Sequence, residues 1–263
     1  MNRNIRTAFY FLILAMLADI GVWYAVFENI HSEKEAWYFL DVGQGDSELI
    51  TLPGGMRMLI DGGPPNGKVE MALARVLPAH DRYIDMVVMT HPQLDHFGGF
   101  IDLFRNYGIG AFIVSGREGE IEAYHDLERV VHEQQIPVLE ARAGDRIRYQ
   151  NYLFNFLSPD EKAIFSKDLN DTSLVVLFEG GGIRALYTAD IGAKTEALLT
   201  DRYNLDVDIL KVPHHGSRFS SSDSFVNEIS PRIAIIEVGK NTYGHPREEV
   251  IKRLKNAGSE VVR

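Results

Sequence analysis

Cysteine is absent from all 263 residues. That one absence excludes disulfide frameworks, thiolate zinc sites and cysteine nucleophiles together, although a cysteine-free chain suits either redox compartment. Positive charge is also in short supply: 27 basic against 37 acidic residues leave a net charge of -10. A protein that coats nucleic acid through a basic surface is therefore excluded. If phosphates are handled at all, local groups or a bound metal must reverse the overall sign. There is no low-complexity tract, no short-period repeat and no Pro/Ser-rich linker. With 45% hydrophobic and 24% charged residues, the composition is that of a globular chain.

One segment departs from that description. Ala8 to Phe27 reads AFYFLILAMLADIGVWYAVF, long enough as a helix to cross the roughly 30 Å of a bilayer's hydrocarbon. Only Asp19 interrupts it, and it lacks the polar face of a buried core helix. A cleaved signal peptide would have a shorter apolar core and small residues at the cut, which Ala15 and Ala18 fit poorly. The expectation is an uncleaved anchor, with residues 1–31 as cytoplasmic stub and span and 32–263 as the globular domain. Arg3 and Arg6 precede the run, whereas Glu28, Glu33 and Glu35 follow it against Lys34 alone. The basic end stays inside by this pattern, which puts the globular part outside the cytoplasm.

After Glu35 the sequence breaks into short β-rich runs bounded by Gly, Pro and Asp. Strands are predicted at Trp37–Leu40, Glu48–Leu52, Met56–Ile60, Met86–Met89 and Ala111–Val114. A second set follows at Tyr152–Leu157, Leu174–Phe178, Ala185–Thr188, Ile209–Val212 and Ile233–Val238. Helical patterns lie between them at Lys68–Leu77, Phe100–Tyr107, Ile121–Gln134, Ala193–Leu199, Ser222–Ile229 and Arg247–Asn256. Two similar halves emerge, each a mixed sheet with helices on one face. Packed face to face they make a four-layer αββα sandwich, of the α/β class.

Four metal-competent side chains each follow an apolar strand: Asp61 after MRMLI, His91 after DMVVMT, Asp190 after RALYTA and His214 after DILKVP. Ligand sites of open α/β sheets collect beyond such strand ends. The run Thr90-His91-Pro92-Gln93-Leu94-Asp95-His96 puts two imidazoles and a carboxylate within six residues, an N/O donor set. Pro92 delays the following helix, so the run is a tight loop whose side chains can turn to one point. In Pro213-His214-His215-Gly216-Ser217, adjacent residues after a strand point to opposite sides. One histidine then binds metal while the other makes a supporting hydrogen bond, and Ser217 with its N–H is placed to hold a phosphate oxygen. Asn241-Thr242-Tyr243-Gly244-His245 has no carboxylate. It suits substrate positioning or proton donation better than ligation, and equally a structural turn. The glycine-rich turn Asp41 to Ser47 alone says only hairpin.

These stretches, FLDVGQGDSELI, LIDGG, THPQLDHFGG, NDTSLVVLF, LYTADI, DILKVPHHGS and NTYGHP, occur in an order that resembles the metallo-β-lactamase superfamily. Within it they are most similar to the C-terminal domain of the ComEC competence DNA-channel proteins, from Phe39 to Pro246. The resemblance implies His91, Asp95, His96, Asp190, His214 and His215 as metal ligands, with Asp190 bridging and Asp61 supporting the first loop. It puts Asn170 and Ser173 where many relatives carry another histidine. Gln93 departs from the histidine or aspartate expected at its position, so the first metal position is half-made or empty by this reading. Relatives also continue past the last helix through another short strand. The implied activity is metal-dependent hydrolysis, with one or two zinc or manganese ions, of a phosphodiester in nucleic acid or a nucleotide. Asp95, Asp190 and His245 are the expected catalytic groups, His245 donating the proton; Ser217, Asn241 and Ser173 are the expected substrate contacts. A channel protein is the expected partner. Two alternatives stand beside this: a thioester or lactam hydrolase, and a decayed, membrane-tethered DNA-binding module.

Overall fold

The computed structural model describes residues 3–32, 34–78 and 80–263; Met1 and Asn2 of the expected stub and Glu33 of the acidic flank lie outside them. Helix α1, Arg3–Ser32, contains the apolar span Arg6–Val26, none of which is buried against the rest of the described chain. Its 30 residues extend roughly 45 Å at the usual rise of an α-helix. That is long and apolar enough to cross a membrane.

The remaining strands form two sheets. In the first, β1 (Ala36–Phe39), β2 (Glu48–Leu52), β3 (Met56–Ile60), β4 (Tyr83–Val88), β5 (Gly108–Val114) and β6 (Val138–Glu140) lie side by side in chain order. The second repeats the plan with β7 (Arg146–Tyr149), β8 (Tyr152–Ser158), β9 (Val175–Gly180), β10 (Ile183–Tyr187), β11 (Ile209–Lys211), β12 (Ile233–Ile235) and β13 (Glu260–Val262). Each sheet begins with antiparallel pairings and ends with three parallel ones. Parallel neighbours need crossovers, and all six of these contain a helix. The helices are α2 (Lys68–Val76), α3 (Leu94–Phe97), α4 (Phe100–Asn106) and α5 (Glu122–Glu133) for the first sheet, and α6 (Ala193–Arg202), α7 (Asp223–Ile229) and α8 (Glu248–Asn256) for the second.

Strand periodicity sorts the core into three layers. Leu49 and Leu59 face α2 to α5, Leu186 and Leu210 face α6 to α8, and Ile50, Met58, Phe178 and Tyr187 meet between the sheets. The predicted αββα sandwich is what forms. The same alternation sends Glu48, two residues before Ile50, and Lys211, two after Ile209, into the space between the sheets. Neither side chain is predicted there by composition.

β6 and β7 were not anticipated, and β13 is the short strand after the last helix that was expected of relatives and taken as a departure here; it forms and pairs with β12. All three are short outer strands with largely exposed residues, so they lack the apolar alternation that marks a buried strand. The strand predicted to reach Val238 ends at Ile235, where the chain leaves the sheet toward the site.

Candidate metal centre

The strand ends that carry the candidate residues are bent by unusual backbone. Asp61 after β3, Ala189 after β10, and His214 and His215 after β11 have φ of 55°, 50°, 51° and 52°. Such conformations are costly for residues with a side chain and persist where the surroundings impose them. At Asp61 the surroundings are visible. Its carboxylate accepts from the Thr90 N–H at 2.8 Å and hydroxyl at 2.7 Å, and from His96 Nδ1 at 2.7 Å. This acid therefore ties the ends of β3 and β4 to the first histidine loop, as expected of it. The expectation that His214 and His215 point to opposite sides fails. Their left-handed backbone, in place of an extended one, brings both Nε2 atoms toward Asp190, at 3.8 and 3.5 Å from Oδ2.

Five of the six expected ligands fall into two donor clusters that share His96, and His214 stands at their edge, its Nε2 3.8 Å from Asp190. His96 Nε2 is 3.4 Å from Asp190 Oδ2, and His215 Nε2 is 3.5 Å from Asp95 Oδ2. The His91 and His96 rings lie 4.1 Å apart. Donor atoms of His91, His96 and Asp190, and of Asp95, His96 and His215, fall within 4.8 Å of one another. The imidazoles are turned alike. Nδ1 of His91 meets Thr90 Oγ1 at 3.0 Å, Nδ1 of His96 meets Asp61, and Nδ1 of His215 meets the Glu237 carbonyl at 2.9 Å. With Nδ1 occupied, Nε2 is the free nitrogen in each ring. All three Nε2 atoms are buried without a hydrogen-bond partner, as is Asp190 Oδ1. Outer hydrogen bonds that orient imidazoles in this way are the rule around metal ions.

Charge gives the same answer. Asp46, Glu48, Asp61, Asp190 and Glu237 are buried around the histidines with Lys211 as the permanent cation among them. Uncompensated buried carboxylates are expensive. Although burial favours its neutral form, the His215 and His96 charges and Lys211 hold Asp190 well below the usual carboxylate range. Burial likewise opposes ionisation of Asp95, yet the nearby His215, 3.5 Å away, and the charge on His96 bring it down to about 2. His215 is pushed up to about 10, Asp190 and Asp46 overcoming burial. His91 goes the other way, to about 3, through burial and the neighbouring His96. The donor set, its orientation and its charge fit a divalent cation.

The cleft above these donors has a volume of about 470 Å³ and is lined by Gln44, Gln93, Asn170, Tyr243 and His245 besides the ligands. His245 is where a proton donor is expected, 5.7 Å from His214 ring to ring. Burial and the nearby His214 and His215 lower its pKa, so it rests neutral. The three expected substrate contacts do not reach the cleft. Ser217 is buried, its N–H donates to the His214 carbonyl at 2.9 Å, and its Oγ accepts from the Phe219 N–H at 3.3 Å. Asn241 is spent within its own loop, on the carbonyls of Gly239 and His245 and the His245 N–H. Ser173 is buried below the surface. Both Ser217 and Asn241 shape turns. Gln93 donates to Asn170 Oδ1 at 2.8 Å, and Asn170 Nδ2 lies 3.5 Å from His214 Nδ1; the amide thus links the two halves across the cleft.

Sequence reasoning missed the layer beneath. Lys211 Nζ donates to Asp46 Oδ2 and, at 3.0 Å, to the Ala189 carbonyl, and lies 3.8 Å from Asp190 Oδ1. Asp46 Oδ1 is 3.2 Å from His215 Nδ1. Glu48 and Glu237 come together beside Asp46. A charged residue at an inward position of a buried strand was the available signal. Burial and the neighbouring Asp46 push Glu237 up to about 8 from 4.5. Folding therefore takes up a proton at this residue. Its contribution to stability is complete below pH 4.5 and is lost as pH rises through about 8. In thermal melts from acid to alkaline pH, the wild type should lose stability relative to Glu237→Gln across that window. Parallel curves would contradict the assignment.

The metallo-β-lactamase superfamily model matches residues 40–239, which contain all six candidate ligands. The chain belongs to the metallo-β-lactamase superfamily. Members of this superfamily are in general metal-dependent hydrolases. Among curated proteins, the ComE operon protein 3 of Bacillus subtilis is 30% identical over 90% of this chain and 33% of its own length. The competence protein ComA of Neisseria gonorrhoeae is 31% identical over 90% of this chain and 32% of its own length. The resemblance to ComEC-type competence proteins thus holds, and the chain spans about a third of the length of these relatives. Among solved structures, Igni18, described as a metallo hydrolase from Ignicoccus hospitalis, superposes with a TM-score of 0.56 at 14% identity, covering 87% of this chain and 95% of Igni18. At that identity the match speaks for the fold.

Proposed function

We propose that this chain is a membrane-anchored, divalent-metal-dependent phosphodiesterase that cuts nucleic acid during DNA uptake. The observation that carries the reading is the set of three imidazoles whose buried, unpartnered Nε2 atoms face Asp190 and Asp95 at the floor of an open cleft. His91, Asp95, His96, Asp190 and His215 hold the ion, with His214, its side chain 29% exposed, at the outer edge. A divalent ion there supplies Lewis acidity and a hydrolytic water acidic enough to ionise near neutral pH. Zinc and manganese both suit the N/O donors.

The chain's own residues do the rest. Asp190, buried between His96 and His215, fixes both imidazoles. Asp95 presents its carboxylate from the cleft side. His245, neutral at rest, becomes a proton donor when a phosphodiester anion draws near, because opposite charge favours the imidazolium; it then protonates the leaving oxygen. Residues 1–31 form the anchor and 32–263 the hydrolase domain. With Arg3 and Arg6 on the inner side, the hydrolase faces outward. A channel-forming protein is the proposed partner for passage of the strand. The relatives' names, a ComE operon protein and a competence protein, support the link to DNA uptake.

The test is metal content and hydrolysis of a labelled oligonucleotide by the detergent-solubilised chain. Asp95→Ala and Asp190→Ala should each remove activity by more than the roughly 10- to 100-fold typical of losing an outer partner, and should lower bound metal. Retained activity in either variant, or a wild type without stoichiometric metal, would overturn the reading.

A further inference from the structure

We propose that Phe219 and Tyr243 form a stacking rim that takes unpaired nucleobases, so that the substrate is a single strand; this rests on the phosphodiesterase reading above. Outside α1, the exposed aromatic side chains among the described residues are Tyr83, Phe165, Phe219 and Tyr243. Exposed rings are ordinarily few, because burying one is worth more than leaving it in water. Here Phe219 and Tyr243, 69% and 65% exposed, both sit on loops that hold the metal centre.

Tyr243 lines the cleft, its ring stacked on His245 at 5.9 Å and 19°. His245 in turn lies against His214, whose Nε2 is 3.8 Å from Asp190. A row of flat rings thus leads from the solvent to the ligands. Phe219 follows the His214–Ser217 turn by two residues. Its carbonyl accepts from the Ala193 N–H at 3.1 Å, which pins it to the segment just after Asp190. The Arg218 guanidinium lies 5.0 Å from the centre of its ring.

The charge on these two loops is the reverse of that of the whole chain. The loop between β11 and α7 carries Arg218 and no carboxylate, and the loop between β12 and α8 carries Lys240 and Arg247 against Glu237 alone, which is buried beside Asp46. Arg247 donates to the Tyr243 carbonyl at 2.8 Å, and its Nε is unpartnered. Rings for bases beside cations for phosphates are the two elements of single-strand recognition. In a duplex the base faces are covered by their neighbours, so a rim of this kind selects strands whose bases are free. It also answers the charge objection: an acidic protein need attract a strand only at the mouth of its cleft.

The experiment uses the full chain in detergent, loaded with manganese, and fluorescence anisotropy of labelled phosphorothioate 12-mers: a single strand, the same backbone without bases, and a duplex. The wild type should bind the single strand more tightly than either other probe. Phe219→Leu and Tyr243→Leu, which keep apolar bulk and lose the flat ring, should each weaken single-strand binding about 5- to 100-fold and leave the abasic backbone as before. Tyr243→Phe should bind like the wild type. Both rings are exposed, so their loss opens no cavity. If the wild type cleaves oligonucleotides but the leucine variants bind the single strand unchanged, the rim has no such role while the phosphodiesterase reading stands. If the variants instead lose affinity for phosphatidylglycerol vesicles alone, the rings are membrane contacts and the proposal falls. If the wild type neither binds nor cleaves any strand, it is the phosphodiesterase reading that fails.

Discussion

Lys211→Met is expected to destabilise the fold by about 3–5 kcal/mol, the range for removing one partner of a buried ion pair. The side chain is fully buried between the sheets, and its ammonium is the permanent cation facing Asp46 and Asp190. Methionine fills nearly the same volume, so packing is not what is lost. What remains is Asp46, also buried, with His215 Nδ1 3.2 Å from its Oδ1 and the ammonium gone from its Oδ2. The surface pair Arg232–Asp208 is a useful contrast. There Arg232 is 79% exposed and the separation 3.5 Å, and such pairs are worth about 0–1 kcal/mol. Urea unfolding of the detergent-solubilised chain measures both. The double variant Asp46→Asn with Lys211→Met should recover most of the loss, since it removes the stranded charge as well. A single variant within 1 kcal/mol of wild type would show that Asp46 is compensated in some other way.

The sandwich and the gathering of the candidate ligands were legible because each leaves a mark in one dimension. Apolar runs that end in His or Asp announce a strand and what lies beyond it, as at DMVVMT before His91 and RALYTA before Asp190. Ser217 and Asn241 misled because a polar side chain next to a ligand looks the same in sequence whether it faces the cleft or closes a turn. Their hydrogen bonds to Phe219 and to the His245 loop are local geometry. The histidine pair misled for a related reason. Alternation holds only while the backbone stays extended, and φ near 50° at both residues breaks it. Asp46, Glu48, Lys211 and Glu237 were hidden more deeply. They are spread over nearly the whole chain, and their meaning lies in one another: none is unusual until the two sheets close and bring them together.

Gly45→Ala should be the other large effect, and it explains a glycine that alone suggested only a hairpin. Gly45 has φ of +143°, and a β-carbon there would stand 2.1 Å from the Asp95 carbonyl oxygen and 2.9 Å from Pro64 Cδ. The first collision is with backbone, so no side-chain rotation relieves it. Either the Asp41–Ser47 turn or the loop carrying Asp95 and His96 must move. The turn cannot move freely, because Asp46 is held by Lys211 and the Ser47 N–H donates to Glu237 at 3.2 Å. The ligand loop therefore shifts, and divalent-ion affinity should fall roughly 10- to 100-fold, as when an outer support is removed. Strain adds about 1–3 kcal/mol to the cost in stability. Gly67→Ala is the control: φ is +70° there too, but nothing lies within 4 Å of the added carbon. It should pay the backbone strain and keep its metal. Isothermal titration with manganese separates the two, and wild-type affinity in Gly45→Ala would mean that the ligand loop does not rest on this turn.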